Sequence, residues 1–328
     1  MTPHPKNSFG KEIVVTTTPE ATEYRSGFGS WDDRASVRSK PRHILDEHLD
    51  GKMFFPPELV AAVNHPEVKR NADDDLVRRV LLHRLHIYLD FTSDLEQLVV
   101  NPVTQLISRR RAGFDLPDRM LRDAYKICTD ESWHALFSDD LQDQLATATG
   151  EGSPELFPRF LLDLDRLEAE EDSDTRGLTK VFFTVVSETL ISAILNDIPR
   201  DERIISSVRE TIADHSEDER RHHAYFAQFF QYAWHQLGKR QRDAIGQALP
   251  QFITAFLGPD PAADAHLLKL AGLDDETTRG VLEEINEPMA VGRSIRTAGA
   301  ATLRLFERNG VFEDSRTYDS FARLGLVE

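Results

Sequence analysis

The chain has a single cysteine, Cys128, among 328 residues. No internal disulfide is possible, and nothing asks for an oxidising compartment. Cys128 itself reads as a small packing residue. Long apolar runs are missing as well, since no stretch approaches the roughly 18 consecutive apolar residues of a membrane-spanning helix. The first ten residues lack the apolar core of a secretory leader. Basic residues are in deficit, 39 against 56 acidic ones, for a formal net charge of −17. Such an excess repels phosphate backbones and anionic bilayers, which argues against nucleic acid and membrane as partners. Runs of Val, Ile and Thr between hairpin turns are absent, so no sheet is expected. No period of solenoid length repeats. A cytoplasmic, all-α protein is what these absences leave.

What is present supports it. Residues 1 to 38 carry Pro, Thr, Ser and Gly without periodicity, and predict an extended or partly disordered arm. No linker divides residues 39 to 328, which are expected to form one domain. Apolar periodicity predicts a helix over Leu76 to Asn101, stopped by Pro102, and a second from Pro117–Asp118 to about Ala146. Thr149 to Pro154 has the chemistry of a loop. A third helix is expected over Leu178 to Asn196, closed by Asp197-Ile198-Pro199, and a fourth from about Asp201 to Leu237. Gly258-Pro-Asp-Pro261 breaks the helix that follows, and Pro288 opens or interrupts one running towards Arg308. Four long helices with shorter ones appended describe a helical bundle.

The fourth helix carries the chemistry. Its seam reads Ile205, Val208, Ile212, His215, Glu219, His222, Phe226, Phe229, Ala233, in alternating steps of three and four. At about 100° per residue, His215, Glu219 and His222 fall within roughly 60° of one another. Burying a lone carboxylate there needs compensation, either from a hydrogen-bonded histidine network or from a metal ion. In the third helix, Glu188 is the lone ionisable residue of Val181 to Asn196, a segment apolar on every side. That carboxyl must be protonated, paired or metal-bound.

Glu131 and His134 stand three apart on the second helix and can reach one point, with Ala124, Ile127 and Ala135 on the same side. A Glu-x-x-His from each of two helices plus a Glu from each of two others is the ligand set of ferritin-like di-iron bundles. Glu96, on a face with Leu85, Tyr88, Leu89, Val99 and Val100, is the candidate for the remaining carboxylate. Taken alone it reads more often as a partly buried ion-pair partner. His215 exceeds that set and, on the same seam, could join the ion that His222 binds. His223 points away from it.

On these residues the sequence resembles the p-aminobenzoate N-oxygenase family, the di-iron arylamine oxygenases of antibiotic biosynthesis. Its His-x-x-x-Glu-x-x-His pattern is matched by His215-Ser-Glu-Asp-Glu219-Arg-Arg-His222. Asp130-Glu131-Ser132-Trp133-His134, Leu95-Glu96-Gln97-Leu98 and Ser187-Glu188-Thr189 match its other ligand segments, and the likeness spans about residues 40 to 310. The resemblance implies two iron ions held by Glu96, Glu131, His134, Glu188, His215, Glu219 and His222, with Glu131 and Glu219 bridging. It implies O₂ as co-substrate, an external electron donor, and oxygen transfer to a small-molecule amine through hydroxylamine and nitroso to nitro levels. Tyr88 matches a pocket tyrosine of the family. Arg293 and Arg296 occupy the region of its substrate-binding arginine, though each also reads as an exposed helix residue. A homodimer is compatible with the sequence. Two other outcomes stay open: a di-iron oxygenase that hydroxylates or cleaves C–N bonds, and an iron-storage or peroxide-reducing protein. The long extension after Leu237 argues against the second.

Overall fold

Apolar residues recurring every three to four positions, bounded by Gly and Pro, dictate helices, and helices fill the computed structural model. It describes residues 23–45, 49, 51–191, 195 and 198–327. In chain order the longer helices are α1 (Asp74–Asp94), α2 (Asp118–Thr149), α3 (Arg159–Ala169), α4 (Leu178–Leu190), α5 (Ser206–Gln236) and α6 (Lys239–Leu257). They are followed by α7 (Pro261–Leu270), α8 (Asp275–Ile285), α9 (Pro288–Ala298), α10 (Ala300–Arg308) and α11 (Ser315–Arg323). Among the described residues extended pairing is limited to one parallel bridge, Met53 to Ile204. No described helix is long and apolar enough to cross a membrane.

The arrangement is a ferritin-like helical bundle. Helix α1 packs on α2, α4 on α5, and α2 on α5, while α6 covers the outer side of α4. In α4 every residue but Lys180 is buried, as its all-round apolarity requires. Phe182 meets Phe230 edge-on at 5.9 Å and Phe183 meets Phe252 at 6.0 Å. The α5 seam, from Val208 through His215, Glu219 and His222 to Ala233, is buried at each of its positions. C-terminal helices close the bundle, with Phe306 of α10 against Phe230 at 5.0 Å and against Phe321 of α11 at 6.1 Å.

Three boundaries differ from expectation. Pro102 does not stop the first helix, which continues as Asn101–Ser108. Between the two segments Leu95–Val100 forms a π turn, with the Asn101 N–H reaching the Glu96 carbonyl. That extra residue restarts the hydrogen-bond register, so Pro102 falls in a first turn, where no N–H is needed. The fourth helix begins at Ser206 rather than Asp201, because residues 203 to 205 leave the helical path to bond Met53, at 2.9 Å to its N–H and 3.1 Å to its carbonyl. Past Pro288 the helix is divided at Gly299 into α9 and α10. The expected end of the third helix falls on residues 192–194 and 196–197, outside the described residues. Of the arm expected over residues 1–38, residues 1–22 also lie outside them. From residue 23 the chain makes two short helical turns, Trp31–Arg34 and Ser36–Ser39, with Tyr24 and Phe28 buried on the bundle.

Candidate metal centre

Four helical segments bring seven ionisable side chains to one buried point. Glu96 comes from the π turn after α1, Glu131 and His134 from α2, Glu188 from α4, and His215, Glu219 and His222 from α5. None is more than 1 % exposed. The π turn matters locally: it turns Glu96 into the core while Gln97 and Leu98, beside it in sequence, are exposed. Within this set, three overlapping groups have ligand atoms all within 4.8 Å of one another. They are Glu96, His134, His215 and Glu219; Glu131, His134, Glu219 and His222; and Glu96, Glu131 and Glu188.

Glu131 lies at the centre. One oxygen is 2.7 Å from His134 Nδ1 and the other 2.8 Å from His222 Nδ1. Glu219 Oε1 stands 3.1 Å from His222 Nδ1, 3.2 Å from His215 Nε2 and 3.5 Å from His134 Nδ1. Glu188 reaches His222 Nδ1 only at 3.9 Å. His215 approaches Glu96 at 3.6 Å and lies beside His134, ring centroids 4.2 Å apart and planes tilted by 41°. It therefore belongs with His134 and Glu96, not with His222 as the seam spacing suggested.

Two aspartates that sequence reasoning passed over fix the imidazoles. Asp218 Oδ2 is 3.2 Å from His134 Nε2, and Asp130 Oδ2 is 3.2 Å from His222 Nε2. Each Asp precedes the Glu of one motif and bonds the His of the other, so the crossing is reciprocal. A carboxylate only accepts, so it places the proton on Nε2 and turns the Nδ1 lone pair inward. The signal was legible as the repeat Asp-Glu-x-x-His, at Asp130 and at Asp218. The N-terminal segment anchors both aspartates. Trp31 Nε1 donates to Asp130 at 2.8 and 2.9 Å, and the Ser36 N–H donates to Asp218 at 3.1 Å. Arg221 pairs with Asp218, and Phe28 stacks on His222.

The electrostatics are those of a site short of positive charge. Burial, then the neighbouring carboxylates, push Glu96 and Glu188 well above the ordinary carboxylate range. Glu131 and Glu219 are equally buried, yet His222 and its fellow imidazoles hold them below it. Burial would lower His134 and His222, but Glu131 raises both well above the usual imidazole range. His215 is lowered by burial and by His134. Both oxygens of Glu96 and of Glu188, and Glu219 Oε2, are buried without a hydrogen-bond partner among the described residues, and the close contacts of Glu131 Oε1 and His215 Nε2 lack hydrogen-bond geometry. Native interiors rarely tolerate such atoms, and several at one point call for a cation. The oxygen-rich set with imidazoles suits iron or manganese.

Tyr88 is buried two turns before Glu96 and lines a cavity of about 390 Å³. Its hydroxyl has no hydrogen-bond partner among the described residues. Arg293 is exposed, Arg296 is half-buried, and neither lines that cavity. His223 is half-buried, off the seam.

Residues 38–310 match the family model described as p-aminobenzoate N-oxygenase AurF. The 4-aminobenzoate N-oxygenase of Streptomyces thioluteus is 28 % identical over 284 residues, covering 84 % of this chain and 80 % of the relative.

Proposed function

The chain belongs to the p-aminobenzoate N-oxygenase AurF family, and from that membership we propose that it is a di-iron, O₂-dependent N-oxygenase of an amine, with an arylamine as the favoured class. The observation that carries the reading is the convergence of four carboxylates and three imidazoles from four helical segments, with orphaned oxygens facing one another. Four buried carboxylates carry four negative charges, which two divalent ions neutralise and one does not. Glu96, Glu131, His134, Glu188, His215, Glu219 and His222 would hold the pair.

Bound there, the irons would supply O₂ activation. The chain's own part is positioning. Asp218 and Asp130 hold the protons of His134 and His222 on Nε2 and keep Nδ1 free. Phe28 and the apolar α4 exclude water. Each N-oxygenation uses one O₂, two electrons from an external donor and two protons. It places one oxygen on nitrogen and releases the other as water; repetition takes the amine through hydroxylamine and nitroso to nitro levels, the hydroxylamine round also shedding a second water so that the nitroso nitrogen keeps a single oxygen. Hydroxylation on the same scaffold is the competing reading, and no observation favours it.

The test is metal content. Protein expressed with iron and manganese both supplied is expected to retain close to two iron ions per chain, and Glu131→Ala or Glu188→Ala to lose at least one. A full complement in both variants would sink the assignment.

A further inference from the structure

The cavity beside Tyr88 has an aromatic wall and unpaired charges. Phe91 meets Phe160 at 4.9 Å and Phe256 at 5.7 Å, ring to ring, and all three line the cavity. Its volume of about 390 Å³ is in the range of small-molecule sites. Five charged residues line it, and three are already engaged. Asp90 accepts from Gln142 and Ser153. Asp260 caps α7 and accepts the Arg159 N–H. Arg159 pairs with Asp163 and donates to the Pro259 carbonyl. Arg84 and Asp264 make no hydrogen bond or close ion pair among the described residues. Arg84, half-buried, lies over the Phe55 ring at 5.0 Å. Asp264 faces it from α7, close enough that each is felt by the other.

Tyr88 gives the cavity its direction. It stands one helical turn from Arg84 and about two before Glu96, and burial raises its phenol above the usual range, with Arg84 opposing that rise and Glu96 and Glu219 adding to it. It is 3 % exposed, and the Thr92 hydroxyl, one turn on, gives its proton to the Tyr88 carbonyl at 3.1 Å. The phenol makes no close hydrogen bond among the described residues, though the Thr92 side chain lies near it, and in the wall of a cavity it is open to a ligand.

We infer that Arg84 and Asp264 bind the zwitterionic head of an α-amino acid, and that the substrate class is an aromatic amino acid bearing a second, aryl amine directed past Tyr88 to the metal centre. The inference rests on the N-oxygenase reading for that second amine. A guanidinium forks onto a carboxylate, and a carboxylate facing it accepts from an ammonium. A bare aminobenzoate satisfies Arg84 and is repelled by Asp264. On this account the arginine that sets specificity is on α1, not on the α9 surface that carries Arg293 and Arg296. Burial, only partly opposed by Arg84, places Asp264 at about 6, so it is ionised and competent to accept at neutral pH.

The experiment is calorimetric binding to the purified full-length protein at pH 7.5. Four probes separate the charges: 4-aminophenylalanine, 4-aminobenzoate, 4-aminophenethylamine and aniline. The zwitterion is expected to bind at least about tenfold tighter than any of the others, the effect of one charge-assisted hydrogen bond. Asp264→Asn should remove that advantage and leave 4-aminobenzoate unchanged or tighter. Arg84→Gln should weaken both carboxylated probes and spare 4-aminophenethylamine. Equal affinity for 4-aminobenzoate and 4-aminophenylalanine, an Asp264→Asn protein that still prefers the zwitterion, or no measurable binding of any probe overturns the inference. The readout is binding, so a zwitterion that binds but is never oxidised would overturn the N-oxygenase reading and with it the substrate assignment, while the Arg84–Asp264 binding site would stand.

Discussion

Glu188→Gln puts the metal-free and metal-bound site on opposite sides of one experiment. Glu188 is buried on α4 among Val, Phe and Leu, and both its oxygens lack a hydrogen-bond partner among the described residues. Burial, then Glu219, Glu131 and Glu96, raise its folded pKa well above the ordinary 4.5. A carboxyl raised on folding binds more protons in the native state than in the unfolded one. Its penalty is therefore absent below the unfolded pKa and grows as pH rises through and above it. At pH 7, keeping such a carboxyl neutral costs up to about 3 kcal/mol, from 1.36 kcal/mol per pH unit. Glutamine has the same shape and never ionises. Metal-free Glu188→Gln is thus expected to exceed wild type by up to that amount at pH 7 and to match it near pH 4. Adding Fe(II) anaerobically at about a hundredfold excess over Kd should stabilise wild type by about 2.7 kcal/mol or more and the variant by less. Denaturant unfolding followed by circular dichroism, with chelator and then with Fe(II), reads both effects. A metal-free variant less stable than wild type at pH 7 would refute the picture of an uncompensated carboxylate.

His215→Ala trims one residue of an otherwise apolar seam, so it should fold while retaining less iron, whereas His223→Ala should retain the wild-type amount. Equal retention by the two would make His215 an ordinary core histidine. Asp218→Asn and Asp130→Asn replace acceptor-only carboxylates with neutral amides whose NH2 can favour the other His134 and His222 tautomers, and should each weaken metal affinity by about 10- to 100-fold. Competition with a calibrated chelator measures this, and wild-type affinity in both would deny the aspartates that role.

The bundle and its polar centre were legible because both rest on local periodicity. The α5 seam places His215, Glu219 and His222 in the core by spacing alone, and the all-round apolarity of α4 left Glu188 no other reading than a buried one. What escaped is non-local or energetically marginal. Pro102 seemed a helix end because only a π turn, worth one inserted residue, lets the helix pass it. The Asp130–His222 and Asp218–His134 crossings join residues more than 80 positions apart, and only the duplicated Asp-Glu-x-x-His hinted at them. Trp31 and Ser36 lie in a stretch without periodicity, so their bonds to those aspartates left no pattern to read. The cavity charges escaped for the same reason: Arg84 shares its helix with Tyr88, but Asp264 meets it from α7, 180 residues on.

The central claim, that this site moves oxygen from O₂ to an amine nitrogen, is tested most directly by a single turnover under ¹⁸O₂. Protein loaded with Fe(II), mixed with an arylamine and ¹⁸O₂ and quenched, is examined by mass spectrometry for hydroxylamine, nitroso or nitro product. The expected result is ¹⁸O on nitrogen, lost in Glu131→Ala. Unaltered amine across aryl and alkyl panels, or ¹⁸O found only on carbon, would contradict it.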